Sequence, residues 1–335
     1  MSKRSGSASR LRTTPSYAGP KFDVLTDVID QVHLEGTVYF SAELHAPWGI
    51  AIARRGRTPF YLVREGRAEL QVGGRGRVHQ LVAGDFVLLP NVAPHVVRSD
   101  RDAQVVPFDD WLALHPMDAT GRSVHAGRGA VTRVIGGFFT SGASAANPLF
   151  SALPAVIVQK GSDARVRRWL EPTLAFIEAE INSGAQGAKA VLQRMADVLF
   201  IQAVRAYAAQ AEGATGWLRG MSDRRIAHAL AFLHEHYAEA WTLERLGREV
   251  GMSRTSLAVR FRELVGEAPM AYLTRWRVTR AGNLLRSQDL DLERTAGLVG
   301  YASGTVFAKA FKRVTGQAPG RYRRVTRMDI RSAVG

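Results

Sequence analysis

The chain has 335 residues, 46% of them apolar, a formal charge of +15 and no cysteine. That length points to two or three domains with real cores, and the missing thiols exclude disulfides, thiolate metal sites and thiol redox sensing. No run of about 18 apolar residues marks a membrane span, and the opening MSKRSGSASRLRTTPSYAGPK lacks the apolar centre of a signal peptide, so the expected location is cytoplasmic. Charge is unevenly placed: residues 1–21 carry +5, residues 22–220 carry +1 and residues 221–335 carry +9. A near-neutral middle between basic ends is the footprint of a nucleic-acid-binding module joined to a part that does not touch phosphate. Residues 1–21 read as a disordered basic arm.

From residue 22 to about 160 the pattern is of strands. TPFYLVREGRAELQVGG alternates, with Gly66 as a turn, and RVHQLVAGDFVLLPNVAPHVV continues it. Short apolar runs punctuated by Gly, Pro and Asn predict an all-β sandwich or barrel. GGRGR, Gly73 to Arg77, is a hairpin tip; no helix follows directly to make it a phosphate cradle. GDFVLLPNVAPH, Gly84 to His95, is similar to the second motif of cupin barrels, and with APWGIAI upstream the region resembles a cupin-like sensor domain. The resemblance implies that metal-holding cupins draw two histidines and a carboxylate from their first motif. Here that place reads RRGRTPFYLVREG, without histidine, which leaves His95 alone in an expected ligand position, short of the three or four a firm site needs. No metal and no cofactor are therefore expected, and His95 reads as a histidine bonded to backbone. A meeting of His45, His79 and His95, and with it a cupin-type metalloenzyme fused to a DNA-binding module, is the alternative. His45, Trp48, Tyr61 and His95 are the candidates for contact with an effector. No Ser/His/Asp or paired-carboxylate spacing stands out, so the chain is not expected to be an enzyme.

Residues 161–220 read as a helical linker. RRWLEPTLAFIEAEI and AKAVLQRMADVLFIQAVRAYAAQA are strongly apolar, with NSGAQG as the turn between them, and AEGATGWLRGMSD leads onward. These helices pack on the barrel and are a possible dimerisation surface.

The last third repeats itself. Gly251 and Gly300 are 49 residues apart, and Leu257/Phe307, Phe261/Phe311, Gly266/Gly316, Pro269/Pro319 and Tyr272/Tyr322 are each 50 apart, which marks two similar small units side by side. In each, a short helix ends at the glycine, where a left-handed backbone is easy; Ser253 then suits the N-cap of a second helix, with Leu257, Phe261 and Leu264 on one face. That is helix, turn, helix. Gly247 sits inside the first helix at a cost of about 1 kcal/mol relative to Ala, as a small residue would if the two helices must approach closely; Ala296 holds the matching place. The opposite faces show Thr255, Val259 and Arg262, and Thr305, Lys309 and Lys312, flanked by Ala258, Ala308 and Arg313. Small residues beside long cations suit helices that enter a major groove. Between the units, Ala268 to Ser287 carries a broad apolar stripe with Pro269 at a helix start. A helical rod of about 18 residues spans ~27 Å and sets the two readers about one DNA turn, ~34 Å, apart.

WTLERLGREVGMSRTSLAVRFRELVGEAPMAYL and LERTAGLVGYASGTVFAKAFKRVTGQAPGRYRR together resemble the DNA-binding domain of AraC/XylS-type transcriptional regulators. The resemblance implies an α+β multidomain chain: an N-terminal cupin-like β-barrel at 22–160, a helical linker at 161–220, an all-α domain with two helix-turn-helix units at 221–327, and a tail at 328–335. It implies binding to double-stranded promoter DNA, activation of transcription with RNA polymerase as a partner, a small-molecule effector, a homodimer and no membrane. By position, the DNA-contacting candidates are Arg254, Thr255, Ser256, Ala258, Val259 and Arg262 in the first unit, and Gly304, Thr305, Ala308, Lys309, Lys312 and Arg313 in the second. Val259 stands where relatives often present a long polar chain, and a methyl contact is expected of it.

Overall fold

The alternating stretches fold into two sheets facing one another. In this computed structural model, which describes residues 22–32, 34–53, 57–74, 76–91, 93–118, 121–141, 147–210 and 216–324, the strands are β1 (Leu34–His45), β2 (Gly49–Ile52), β3 (Thr58–Glu65), β4 (Arg67–Val72), β5 (Val78–Val82), β6 (Phe86–Leu88), β7 (His95–Arg98), β8 (Val106–Pro107), β9 (Arg122–His125), β10 (Val131–Ser141) and β11 (Ile157–Gln159). The basic arm at 1–21, Arg75 of the hairpin tip, residues 211–215 and the tail at 328–335 lie outside the described residues. One sheet runs β11–β6–β3–β10–β1–β9 and the other β5–β4–β7–β2–β8.

Strand composition explains which face of each sheet is covered. On β4, Ala68 and Leu70 point into the barrel while Arg67 and Glu69 point out, the alternation of a sheet with one wet face. On β3 both faces are buried. Tyr61 and Val63 join the core between the sheets, and Phe60 and Leu62 join a second core on the outside of the larger sheet. That outer face is covered by α4 (Ala164–Ser183) and α5 (Ala188–Ala208) through Leu170, Leu174, Ile177, Leu199, Phe200 and Ala203. Phe139 of β10 meets Phe200 edge-on at 5.1 Å, and Arg64 of β3 forms a two-pronged ion pair with Glu178 of α4. Gly184, at φ 58°, closes α4.

The region expected to be all strand also holds three short helices: α1 (Val24–Asp30), α2 (Phe108–Leu114) and α3 (Pro148–Ala152). Asp23 caps α1 by accepting from the Leu25 and Thr26 amides, and Val24 and Val28 are buried on one face. The stretch AEGATGWLRGMSD, which reads as the linker, contains α6 (Gly216–Gly220), whose Trp217 and Leu218 are buried. The Trp217 indole N–H donates to the Pro148 carbonyl at 3.1 Å, tying α6 to α3.

The C-terminal part is helical: α7 (Arg224–Glu235), α8 (Leu243–Glu249), α9 (Arg254–Val265), α10 (Pro269–Ser287), α11 (Leu292–Leu298), α12 (Gly304–Thr315) and a further helical stretch at 319–324. Phe261, Leu264, Tyr272 and Trp276 belong to the core that runs out from the larger sheet. Val278, Leu285, Val299, Phe307 and Phe311 form a separate core around α12, and α10 has one part in each.

Candidate nucleic-acid interface and barrel cavity

Two copies of one turn hold α9 and α12. Gly251 (φ 64°) and Gly300 (φ 80°) end α8 and α11 in the left-handed region. Ser253 then accepts from the Ser256 amide at 3.2 Å and Ser303 from the Val306 amide at 3.4 Å. A Cβ on Gly247 would stand 2.7 Å from the Met252 carbonyl oxygen, so the glycine inside α8 is required by the close pass of the turn. Glu244 pairs with Arg254 at 3.0 Å, and its counterpart Glu293 accepts from the Gly304 amide at 2.8 Å, so each first helix pins the start of the second.

The cores fix what faces outward. With Leu257, Phe261, Leu264 and Val265 buried, α9 exposes Arg254, Thr255, Ser256, Val259 and Arg262, with Ala258 half-buried. With Phe307, Ala310 and Phe311 buried, α12 exposes Thr305, Lys309, Lys312 and Arg313, with Ala308 half-buried. Gly304 differs from the expectation that it meets DNA. It is buried, and a Cβ there would press on Glu293 at 2.7 Å, so its place is the packing of α12 on α11. Val306 was not singled out in the sequence yet stands 55% exposed beside Thr305, as Val259 stands 53% exposed on α9. An isolated valine within a cationic face was the available signal. α10, the spacer, is 19 residues long, about 28 Å at helical rise.

Between the two sheets lies a cavity of about 230 Å³ lined by residues of β1, β2, β3, β7 and β10 and closed on one side by α2. Trp48, Tyr61 and His95 line it. His95 Nδ1–H donates to the Ala93 carbonyl at 3.0 Å, which leaves Nε2 to accept from the Tyr61 hydroxyl at 2.6 Å. Burial holds the His95 imidazole below its ordinary pKa and pushes the Tyr61 phenol up, so the pair is neutral. His45 does not join them. On β1 it alternates with Leu44, turns to the face away from the cavity and meets Glu43 at 3.3 Å. Asp85 of the GDFVLLPNVAPH stretch is spent on structure: it accepts from the Val82 and Gly161 amides, each at 3.1 Å, and pairs with Lys160 at 2.6 Å. Among the described residues no three His, Cys, Asp or Glu side chains are grouped to hold a metal, and no helix is long and apolar enough to cross a membrane.

A two-sheet barrel carrying a helical domain with twin helix-turn-helix units is the build of a DNA-binding transcription regulator. Comparison with known proteins agrees. A cupin family matches residues 23–209 and a helix-turn-helix domain family matches residues 246–325. A protein of Streptomyces lividans named as an AraC-like transcription regulator is 31% identical over 91% of this chain and 98% of its own length. One of Streptomyces antibioticus with the same name is 32% identical, also over 91% and 98%. A crystal structure of the AdpA DNA-binding domain in complex with a target DNA is 34% identical over 31% of this chain and 93% of that one, with a TM-score of 0.30. The chain belongs to the AraC-like transcription regulators that carry a cupin domain.

Proposed function

We propose that the protein binds promoter DNA at a specific sequence through α9 and α12, which enter successive major grooves on one side of the duplex, and that the barrel cavity receives an effector. The observation that supports this best is the paired geometry of the two helices. Each is anchored by the same glycine turn and serine cap, and each turns Thr, Val and long cations outward while its aromatic residues are buried. Short side chains let a helix approach base edges and thymine methyls, and the cations reach guanine or phosphate. The base readers proposed are Thr255, Ser256, Ala258 and Val259 on α9, and Thr305, Ala308 and Lys309 on α12. Arg254, Arg262, Lys312 and Arg313 hold phosphate or flanking bases. The functional division proposed is a sensor at 22–160, a helical joint and dimer surface at 161–220 and a DNA reader at 221–327. The protein works in the cytoplasm as an activator alongside RNA polymerase, and no catalytic role is assigned to it. An effector alters DNA binding only through different affinity for two states of the protein.

Selection of bound duplexes from a random pool by the full-length protein tests this. The expected result is one preferred site favoured by roughly 10³-fold or more over unrelated duplex, with Thr255→Ala and Lys309→Ala each changing the preferred bases at a separate part of the site. Equal affinity for all duplexes would make the protein a non-specific binder and end the proposal.

A further inference from the structure

Of the polar side-chain groups inside the barrel cavity, the Trp48 indole N–H is buried without a hydrogen-bond partner, and the others are engaged with the protein. Tyr61 and His95 bond one another, and the second nitrogen of His95 is taken by the Ala93 carbonyl. The buried Ser123 hydroxyl donates to the His115 carbonyl at 3.0 Å. The Arg57 guanidinium lies 4.3 Å over the Phe138 ring, and Arg57 and Asp109 are exposed to solvent at the rim. A carboxylate or a sugar entering this space would give up its whole water shell and gain one interior donor, the Trp48 indole N–H, in return, a loss that apolar contact does not repair. The remaining wall is apolar and rich in rings: Phe40, Trp48, Tyr61, Phe108, Trp111 and Phe138 all contribute, in a chain only 8% aromatic. Ring faces and edges favour offset or edge-on contact with another ring. A cavity of ~150 Å³ accommodates benzene, so about 230 Å³ suits roughly ten non-hydrogen atoms.

We propose that the cavity takes an uncharged aromatic molecule of about ten non-hydrogen atoms and rejects sugars and aromatic carboxylates. The inference rests on the reading of the barrel as a sensor and names the class of molecule sensed. A route to the DNA reader exists in the wall itself. Tyr61 touches the cavity, and its neighbours Phe60 and Leu62 on β3 face the outer core that continues to α9 and α10. A ring seated against Tyr61 thus bears on a strand whose other face packs the helices.

The test is calorimetric titration of the full-length protein with naphthalene, with D-xylose as a polyol of the same heavy-atom count, and with 2-naphthoate as the charged counterpart. Naphthalene is expected to bind in the micromolar range, at least about tenfold more tightly than 2-naphthoate, and xylose to give no heat of binding. Ala42→Trp, on the cavity wall, is expected to abolish naphthalene binding while the far-ultraviolet circular dichroism is kept. Where that variant does not fold, the three-probe comparison on the unaltered protein decides. Xylose or naphthoate binding as tightly as naphthalene, no probe binding at all, or unchanged naphthalene affinity in a folded Ala42→Trp protein would each overturn the proposal. Affinity for the selected duplex, measured in parallel, separates the two readings. A protein that chooses its duplex but takes no naphthalene refutes the ligand class alone. One that takes naphthalene with no change in duplex affinity supports the ligand class and removes the sensing role.

Discussion

Gly251 and Gly300 occupy the same place in the two repeats and differ in what surrounds them. Both are left-handed, at φ 64° and 80°, but a Cβ on Gly251 meets nothing within 4 Å, whereas one on Gly300 would lie 2.3 Å from the Ala238 carbonyl oxygen. Gly251→Ala therefore carries only the left-handed penalty of about 1–2 kcal/mol. Gly300→Ala adds a backbone collision that no rotamer relieves, and its loss of stability in urea unfolding is expected to be clearly the larger. Equal losses would mean that the second turn is free to move. The identity of these glycines was legible because a residue with a unique backbone range leaves a mark in sequence. Side-chain direction was legible only in part. Period-2 alternation would have turned His45 away from Leu44, but the register that puts Leu44 inside depends on pairing with β10, set by residues about ninety positions away. Gly304 was drawn into the contact set by position, and its burial follows from Glu293 of the preceding helix.

At the scale of elements, the helix-turn-helix pairs were readable because caps, glycine ends and apolar spacing all agree locally. The short helices were not. α1 and α2 each span seven residues and α3 and α6 five, too few for a 3.6-residue period to separate from alternation. What holds α1 is distant in sequence. Asp27 accepts from His234 Nδ1 of α7 at 2.8 Å and from Arg280 of α10 at 3.1 Å, while His234 Nε2 accepts from the Tyr272 hydroxyl at 2.7 Å. The His234 side chain is wholly buried against the Trp276 ring. Burial holds its pKa below the ordinary 6.5 despite Asp27, whose charge Arg280 already balances. The unfolded chain therefore takes up this proton more readily than the folded one. Stability is fully present above the ordinary value and is lost as pH falls below it, by up to about 1.4 kcal/mol per pH unit. His79, His95 and His115 are held low as well and add in the same direction. Urea unfolding between pH 7 and pH 5 should show this decline, and His234→Gln should make it shallower. An unchanged slope in that variant would show that His234 binds its proton equally well in the folded and unfolded chain.

In the whole molecule, one outer core joins the barrel wall to the first helix-turn-helix unit, while the second unit has its own core around α12. The junction is α6. Its Gly220 is packed so closely that a Cβ would come within 2.8 Å of Val265 on α9 and 3.2 Å of Ile226 on α7, and Trp217 reaches back to α3. Arg275 of α10 adds a bond to Ser151 of α3 at 2.8 Å. A boundary drawn by composition at residue 220 cuts through this packing, since the backs of α7 and α9 are finished by Trp217 and Leu218, 1% and 3% exposed. A fragment of residues 216–335 keeps both side chains against α9; one of residues 221–335 does not. Full burial of one large apolar side chain contributes about 1.5–3 kcal/mol, and part of Trp217 is bared in either fragment by loss of α3. The longer fragment should thus be the more stable by about 1–2 kcal/mol in urea. Because α12 packs within its own core, amide exchange in α12 should be alike in the two fragments while α9 exchanges faster in the shorter. Equal stability of the two fragments would show that α6 belongs to the barrel alone, and the continuous core would then have no bearing on how the first recognition helix is held.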